Sequence, residues 1–250
     1  KIIKCLKDNY SYLIIDEKLN TACVVDPSES RPIINYLEDN QINLKFILNT
    51  HHHYDHVGGN KELKKKYNVK VVGYEDDKQR IPEIDIFLRD QETWKSENFE
   101  AKIFHIPGHT LGHISFYFFN EKILFTGDTL FSLGCGRIFE GTYEMMFNSL
   151  NIIKKFPLET KVYCGHEYTL QNSKFCIKYD ESNSKLKKKI DSIKDKLNKG
   201  LPTIPSTIKE ELECNIFLRS EEKSVQKNLN LNNINSLQTF SKLRDLKDNF

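Results

Sequence analysis

The chain has 250 residues, enough to bury a sizeable core as one large domain or as a main domain with a smaller companion. With 37 Lys and Arg against 35 Asp and Glu the formal net charge is +2, so no global field argues for a nucleic-acid partner or an anionic membrane surface. No apolar run approaches the roughly 18 residues of a membrane span, and the start "KIIKCLKDNY" lacks the apolar stretch of a secretory signal.

The expectation is a soluble cytoplasmic monomer with no nucleic-acid or membrane partner, or an organellar protein if a leader preceding Lys1 has been removed. Six cysteines (Cys5, Cys23, Cys135, Cys164, Cys176, Cys214) occur without C-x-x-C pairs, which suits isolated thiols better than a disulfide framework. Only Cys135, in a glycine-rich loop, is placed to line a site.

Apolar strand-like runs come first: "SYLIID" and "TACVVD". "ESRPIINYLEDN" then reads as a helix with Ile33, Ile34 and Leu37 on one face. "KFILNT" is a strand running into histidines, and "NKELKKKYN" is a short helix after two glycines. Strands resume in "VKVVGY", "IDIFL", "AKIFHI", "HISFYFF" and "KILFTG"; the helix "TYEMMFNSLNIIKKF" and the strand "KVYCG" close this part. Strands alternating with helices in this way predict a layered α/β domain.

After about Asn172 strand signals cease. "SKLKKKIDSIKDKLNK" carries Leu186, Ile190, Ile193 and Leu197 as one stripe, the spacing of a helix docked on a core with its lysines solvated. "GLPTIPST" breaks the chain, and Thr207 with Glu210 has the spacing of a capping box that opens another helix. The predicted organisation is a layered α/β domain over 1–172 and a helical domain over 173–250.

The segment "NTHHHYDHVGGN" puts four histidines and an aspartate into six positions where a buried strand emerges into a loop. Side chains of an extended chain alternate, so His51 and His53 point to one side and His52 to the other. Asp55 and His56 follow as the chain turns into a helix and can aim at a second point nearby. A metal site explains this composition, and one loop could feed two ions.

Such ions need further ligands, and His109 in "IPGHTLGH", Asp128 in "LFTGDTLF" and His166 in "VYCGHEYT" each follow an apolar strand and a glycine-marked turn. His105, inside a strand, reads as packed, and His113 as a hydrogen-bond partner of a ligand. Asp26, at the end of "CVVDP", is a candidate brace that accepts backbone N–H bonds from the histidine loop, with an ordinary turn aspartate as the alternative.

With "THHHYDH", "PGHT", "FTGDTLF", "GCGR" and "CGHEYT" in this order, the chain resembles the metallo-β-lactamase superfamily, whose fold is an αββα sandwich. "GCGRIFEGT", "CGHEYT" and the closing "RDLKDNF" resemble the glyoxalase II (hydroxyacylglutathione hydrolase) family, which adds a C-terminal all-helical domain. The resemblance implies that His51, His53 and His109 hold one ion, that Asp55, His56 and His166 hold the other, and that Asp128 bridges them. Asp55 and Asp128 are thus the expected catalytic carboxylates. Glutathione is expected on Arg137, Phe139, Tyr168, Arg244 and Lys247. Some members carry tyrosine where this chain has Phe139, which removes one hydroxyl contact.

The implied reaction is hydrolysis of S-D-lactoylglutathione and other 2-hydroxyacyl thioesters to D-lactate and glutathione, the second step of methylglyoxal detoxification. The implied cofactors are two divalent ions about 3.5 to 4 Å apart that make hydroxide available near neutral pH, zinc first, with iron and manganese suited to the same ligands. A thiolate leaves readily, so no Ser/His/Asp triad is required. Three other readings compete: a glutathione persulfide dioxygenase with one iron, a nuclease of the same superfamily, and a silent metal-stabilised binding module. His113, "FEGT", "RDLKDNF" and the long helical tail favour the thioesterase over the dioxygenase. Balanced charge argues against the nuclease, and the intact ligand set against the silent module.

Overall fold

A computed structural model describes every residue except Glu97, Asn232 and Asn233, and the chain divides into two compact units. The first comprises residues 1–105, 112–121 and 125–127, and the second residues 106–111, 122–124 and 128–250.

The first unit opens with β1 (Ile2–Cys5), β2 (Asn9–Asp16) and β3 (Thr21–Val25), an antiparallel run. Helix α1 (Ser30–Asp39) buries Ile33, Ile34 and Leu37, the face its periodicity predicts, and returns the chain to β4 (Asn43–Leu48). After the short α2 (Tyr54–Val57) and α3 (Asn60–Tyr67) come β5 (Lys70–Tyr74) and β6 (Ile84–Leu88). The sheet order is β1-β2-β3-β4-β5-β6, with β3 to β6 parallel, which needs a crossover connection between successive strands. Its core includes Leu13, Val24, Ile33, Leu44, Ile47, Leu63 and Val71.

The parallel register matters for function. Val25 pairs with Leu48, so the loops that leave β3 and β4 emerge side by side at the carboxyl edge of the sheet, where ligand sites of open α/β sheets lie. Asp26 therefore comes to rest beside Thr50 and the histidines that follow. Gly59 allows the close return of the chain: its N–H donates to Pro27 O at 2.8 Å, and a Cβ there would press on the Pro27 carbonyl at 2.9 Å. The unit also contains β7 (Thr93–Ser96), β8 (Phe99–His105) and β9 (Ile114–Phe118) as an antiparallel run. Strand β10 (Ile123–Gly127) has residues in both units.

The second unit includes a hairpin of β11 (Leu130–Phe131) and β12 (Gly134–Cys135). Helix α4 (Tyr143–Ile153) starts at Thr142, whose hydroxyl accepts from Met145 N. Strand β13 (Lys161–Cys164) is followed by α5 (Thr169–Tyr179) and α6 (Ser184–Asn198), and pairs antiparallel with β14 (Ser206–Thr207). In α6 the predicted stripe faces inward: Leu186 and Ile193 are buried and Ile190 and Leu197 half-buried, while its lysines Lys187, Lys188 and Lys194 are exposed. Helix α7 (Ile208–Cys214) opens on the Thr207–Glu210 capping box that the sequence announces. Helices α8 (Lys223–Asn228) and α9 (Ser236–Asp248) complete the unit, and Phe175, Phe217 and Phe240 pack at ring distances of 5.8 and 6.0 Å in its interior. Among the described residues no helix is long and apolar enough to cross a membrane.

Candidate metal centre and anion cavity

In the first unit the histidine loop leaves β4 and His53 caps α2, which carries Asp55 and His56. The His51 ring lies 4.8 Å from that of His53 and 4.1 Å from that of His56, so the loop gathers the three side chains. His52 points elsewhere: its Nδ1 is 3.1 Å from Asp77 Oδ2, and Asp77 is also held by Arg80. Although burial pushes the Asp77 carboxyl up, its bonds to His52 and Arg80 bring it below the usual carboxylate range. Asp77 thus anchors the loop from the side opposite His51.

The Nδ1 atoms of His51 and His56 each have a partner. Asp26 Oδ1 accepts from Thr50 N at 2.8 Å, and Oδ2 accepts from Thr50 Oγ1 at 2.6 Å and faces His56 Nδ1 at 3.1 Å. Thr50 spends its only hydroxyl proton on Asp26, so at 3.0 Å it must accept from His51 Nδ1. Both rings are therefore Nδ1–H tautomers, and each carries its lone pair on Nε2. Asp26, His51 and His56 bring donor atoms within 4.8 Å of one another, which suggests a three-ligand metal group. The carboxylate is nevertheless committed to Thr50 and His56, so Asp26 orients these side chains.

Asp55 Oδ2 accepts from Asn9 Nδ2 at 2.9 Å and lies 3.7 Å from His56 Nε2. A lone-pair nitrogen and a carboxylate oxygen at that separation share no proton, and the pair would suit a cation. His113, fully buried, stacks on His51 at 4.6 Å. His105 stacks on Tyr74 at 4.6 Å within its strand, the packing role its position predicts.

The second unit repeats the pattern. His109 Nδ1 is 2.7 Å from the Arg137 carbonyl, which has no proton to give, so Nδ1 donates and Nε2 holds the lone pair. That Nε2 lies 3.6 Å from Asp128 Oδ2, and His166 Nε2 lies 3.3 Å from the same oxygen. One carboxylate oxygen between two imidazole nitrogens is a donor set for a divalent ion of the zinc, iron or manganese kind. Gly136 makes room for it: a Cβ there would collide with the Asp128 carbonyl and crowd His109 Nδ1 at 3.2 Å.

Beside these groups a cavity of about 380 Å³ is lined by His109, Asp128, Cys135, Phe139, Tyr168, Asn172 and three cations, Arg137, Arg244 and Lys247. Tyr168 stacks on His166 at 4.7 Å, and the exposed Phe139 meets the edge of His109 at 5.2 Å. Arg244 is not a solvated helix end. It is 4 % exposed, and its Nη1 donates to Cys135 O at 2.7 Å. Lys247 lies over Phe175 and Phe250, and burial, then the charge of Arg244, pulls its ammonium below the usual lysine range. A half-desolvated cation of this kind gains most from an incoming anion. All six cysteines are buried free thiols, and Cys135 lines the cavity as its loop position suggests.

Residue-type reasoning missed Asn9, Thr50, Asp77 and Asp248. Thr50 opens the histidine motif and Asp77 lies far from it, and nothing in the sequence marks them as partners of His51 and His52.

Comparison with known proteins gives the family and the fold. Residues 7–166 match the metallo-beta-lactamase superfamily and residues 167–250 match the hydroxyacylglutathione hydrolase C-terminus. A hydroxyacylglutathione hydrolase of Pelagibacter ubique (strain HTCC1062) is 67 % identical over 250 residues, covering 100 % of this chain and 99 % of the relative. One of Methylococcus capsulatus is 41 % identical over 248 residues, covering 99 % and 97 %. The fold is that of the BLEG-1 B3 metallo-beta-lactamase (TM-score 0.69, 22 % identity, 87 % of this chain and 98 % of that one). It is also that of ETHE1 from Myxococcus xanthus (TM-score 0.66, 23 % identity, 99 % and 100 %).

Proposed function

The chain belongs to the hydroxyacylglutathione hydrolase (glyoxalase II) family of the metallo-beta-lactamase superfamily, and from that membership we propose how its residues divide the work. It is a metal-dependent thioester hydrolase that splits S-2-hydroxyacylglutathiones such as S-D-lactoylglutathione into the hydroxy acid and glutathione. It takes a divalent metal cofactor.

In the proposed assignment His51, His53 and His109 form one donor set, Asp55, His56 and His166 the other, and Asp128 is common to both, for two ions, zinc first. The observation that carries it is the tautomer relay: Thr50, Asp26 and the Arg137 carbonyl each take an Nδ1–H, so His51, His56 and His109 all offer a lone pair on Nε2. When bound, ions of this kind supply Lewis acidity and hydroxide near neutral pH.

The chain's own residues then bind and orient. Arg137, Arg244 and Lys247 take the carboxylates of glutathione by charge-assisted bonds, and Phe139 and Tyr168 flank the tripeptide. Held there, the thioester carbonyl is fixed against the donor sets, and the departing thiolate needs no dedicated acid. Residues 173–250 act as the substrate-binding part of a monomer. The test is thiol release from S-D-lactoylglutathione with metal content measured on the same sample. Two equivalents of metal and loss of activity on chelation are expected; full-speed hydrolysis by exhaustively demetallated protein would refute the assignment.

A further inference from the structure

Asp248 lies one turn beyond Arg244 on α9. Its Oδ1 accepts from Arg244 Nη2 at 2.9 Å and from Arg137 Nε at 3.3 Å. A carboxylate of the chain therefore already sits across two of the three cavity cations assigned above to glutathione. Its chemistry is that of the ligand those cations await: a planar carboxylate against a guanidinium.

The two arginines are held very differently. Arg244, its side chain 5 % exposed, is anchored by the Cys135 and Gly136 carbonyls as well as by Asp248, and its guanidinium lies 5.2 Å from the Phe217 ring. Arg137 has a 56 % exposed side chain and meets Asp248 through a single long bond. Helix α9 is itself tied nearby, where the Tyr143 hydroxyl donates to Asp245 Oδ1.

Resting on the glutathione reading, we propose that Asp248 is a specificity-determining residue that competes with the substrate carboxylate for Arg137 and so sets KM. In the free enzyme Arg137 is drawn to Asp248; on binding it exchanges one carboxylate for another, while Arg244 keeps Asp248. No covalent step is involved, and Asp248 touches no reacting atom. An exposed ion pair of this sort weighs at most about fivefold in an equilibrium, so the competition tunes affinity without abolishing it.

The test is Asp248→Asn, which keeps shape and removes charge, assayed on metal-loaded enzyme with S-D-lactoylglutathione at low ionic strength. KM falls about two- to fivefold, kcat changes by less than twofold, and the inhibition constant of product glutathione falls with KM. The same substitution made in an Arg137→Ala background leaves KM where that background has it, and Asp248→Glu, which keeps the carboxylate, stays near the wild-type value. If Asp248→Asn does not accumulate as folded protein, Asp248→Ser serves the same comparison. An unchanged or raised KM in the folded variant, or a fall that persists without Arg137, overturns the proposal. Wild-type protein that fails to release thiol from S-D-lactoylglutathione would instead overturn the glutathione reading on which it rests.

Discussion

Asp26 Oδ2 receives the Nδ1–H of His56 at 3.1 Å, and a carboxylate thirty residues upstream thereby decides which nitrogen of that histidine carries the lone pair. The same oxygen takes the Thr50 hydroxyl and, through it, sets His51. Asp26 adopts φ 47, a left-handed conformation that asparagine also tolerates, so Asp26→Asn keeps the backbone and tests the charge alone. An amide NH₂ facing Nδ1 moves the proton to Nε2. Metal affinity is expected to fall about 10- to 100-fold, read by chelator competition, with activity restored in part by excess metal.

Asp128 places one oxygen 3.3 Å from His166 Nε2 and 3.6 Å from His109 Nε2. Asp128→Ala removes the only charge common to both proposed donor sets. Turnover is expected to drop to background and the bound metal to fall below two equivalents, measured on one sample; substantial residual activity would sink the bridging role.

Arg244→Ala is expected to raise KM by an order of magnitude with a smaller change in kcat, as for loss of uniform binding. Its burial adds a second effect that a solvated helix end would not show. The Cys135 carbonyl at 2.7 Å loses its charged donor, a loss of about 1–3 kcal/mol in a buried setting, so the melting temperature also falls by several degrees. A raised KM with an unmoved melting curve would contradict the buried bond.

Glu211 is fully buried on α7, where its Oε2 accepts from Leu133 N at 2.8 Å and from Asn215 Nδ2 at 3.0 Å. Burial raises its carboxyl above the ordinary range despite those bonds. The folded state thus holds a proton the unfolded chain releases at lower pH, so this stabilising contribution is complete below the unfolded pKa and is lost as pH rises through the folded one. Glu211→Gln keeps an acceptor for Leu133 N without a charge to desolvate. Its melting temperature is expected to exceed wild type at pH 8 and to lose that advantage near pH 4; a constant difference across pH would show that ionisation is not involved.

Much of the proposed donor set was readable because its residues are local in sequence. His51, His53, Asp55 and His56 lie within six positions after an apolar strand; strand alternation pairs His51 with His53, and the turn into a helix redirects Asp55 and His56. The capping box at Thr207 and the inward stripe of α6 were equally legible, since both depend on neighbours three or four residues away.

What composition and spacing determined was therefore the kind of chemistry: imidazole and carboxylate donors at strand ends, a layered α/β domain, and helices with one apolar face. Tertiary structure alone decided the protonation of those imidazoles, because Asp26 reaches Thr50 and His56 only through the parallel register of β3 and β4. It also turned Arg244 from a surface charge into a buried bond to Cys135, and placed Asp248 across Arg137, 111 residues away. A hydrogen bond between distant segments leaves no periodic trace in the chain, since its geometry exists only once the intervening elements have packed.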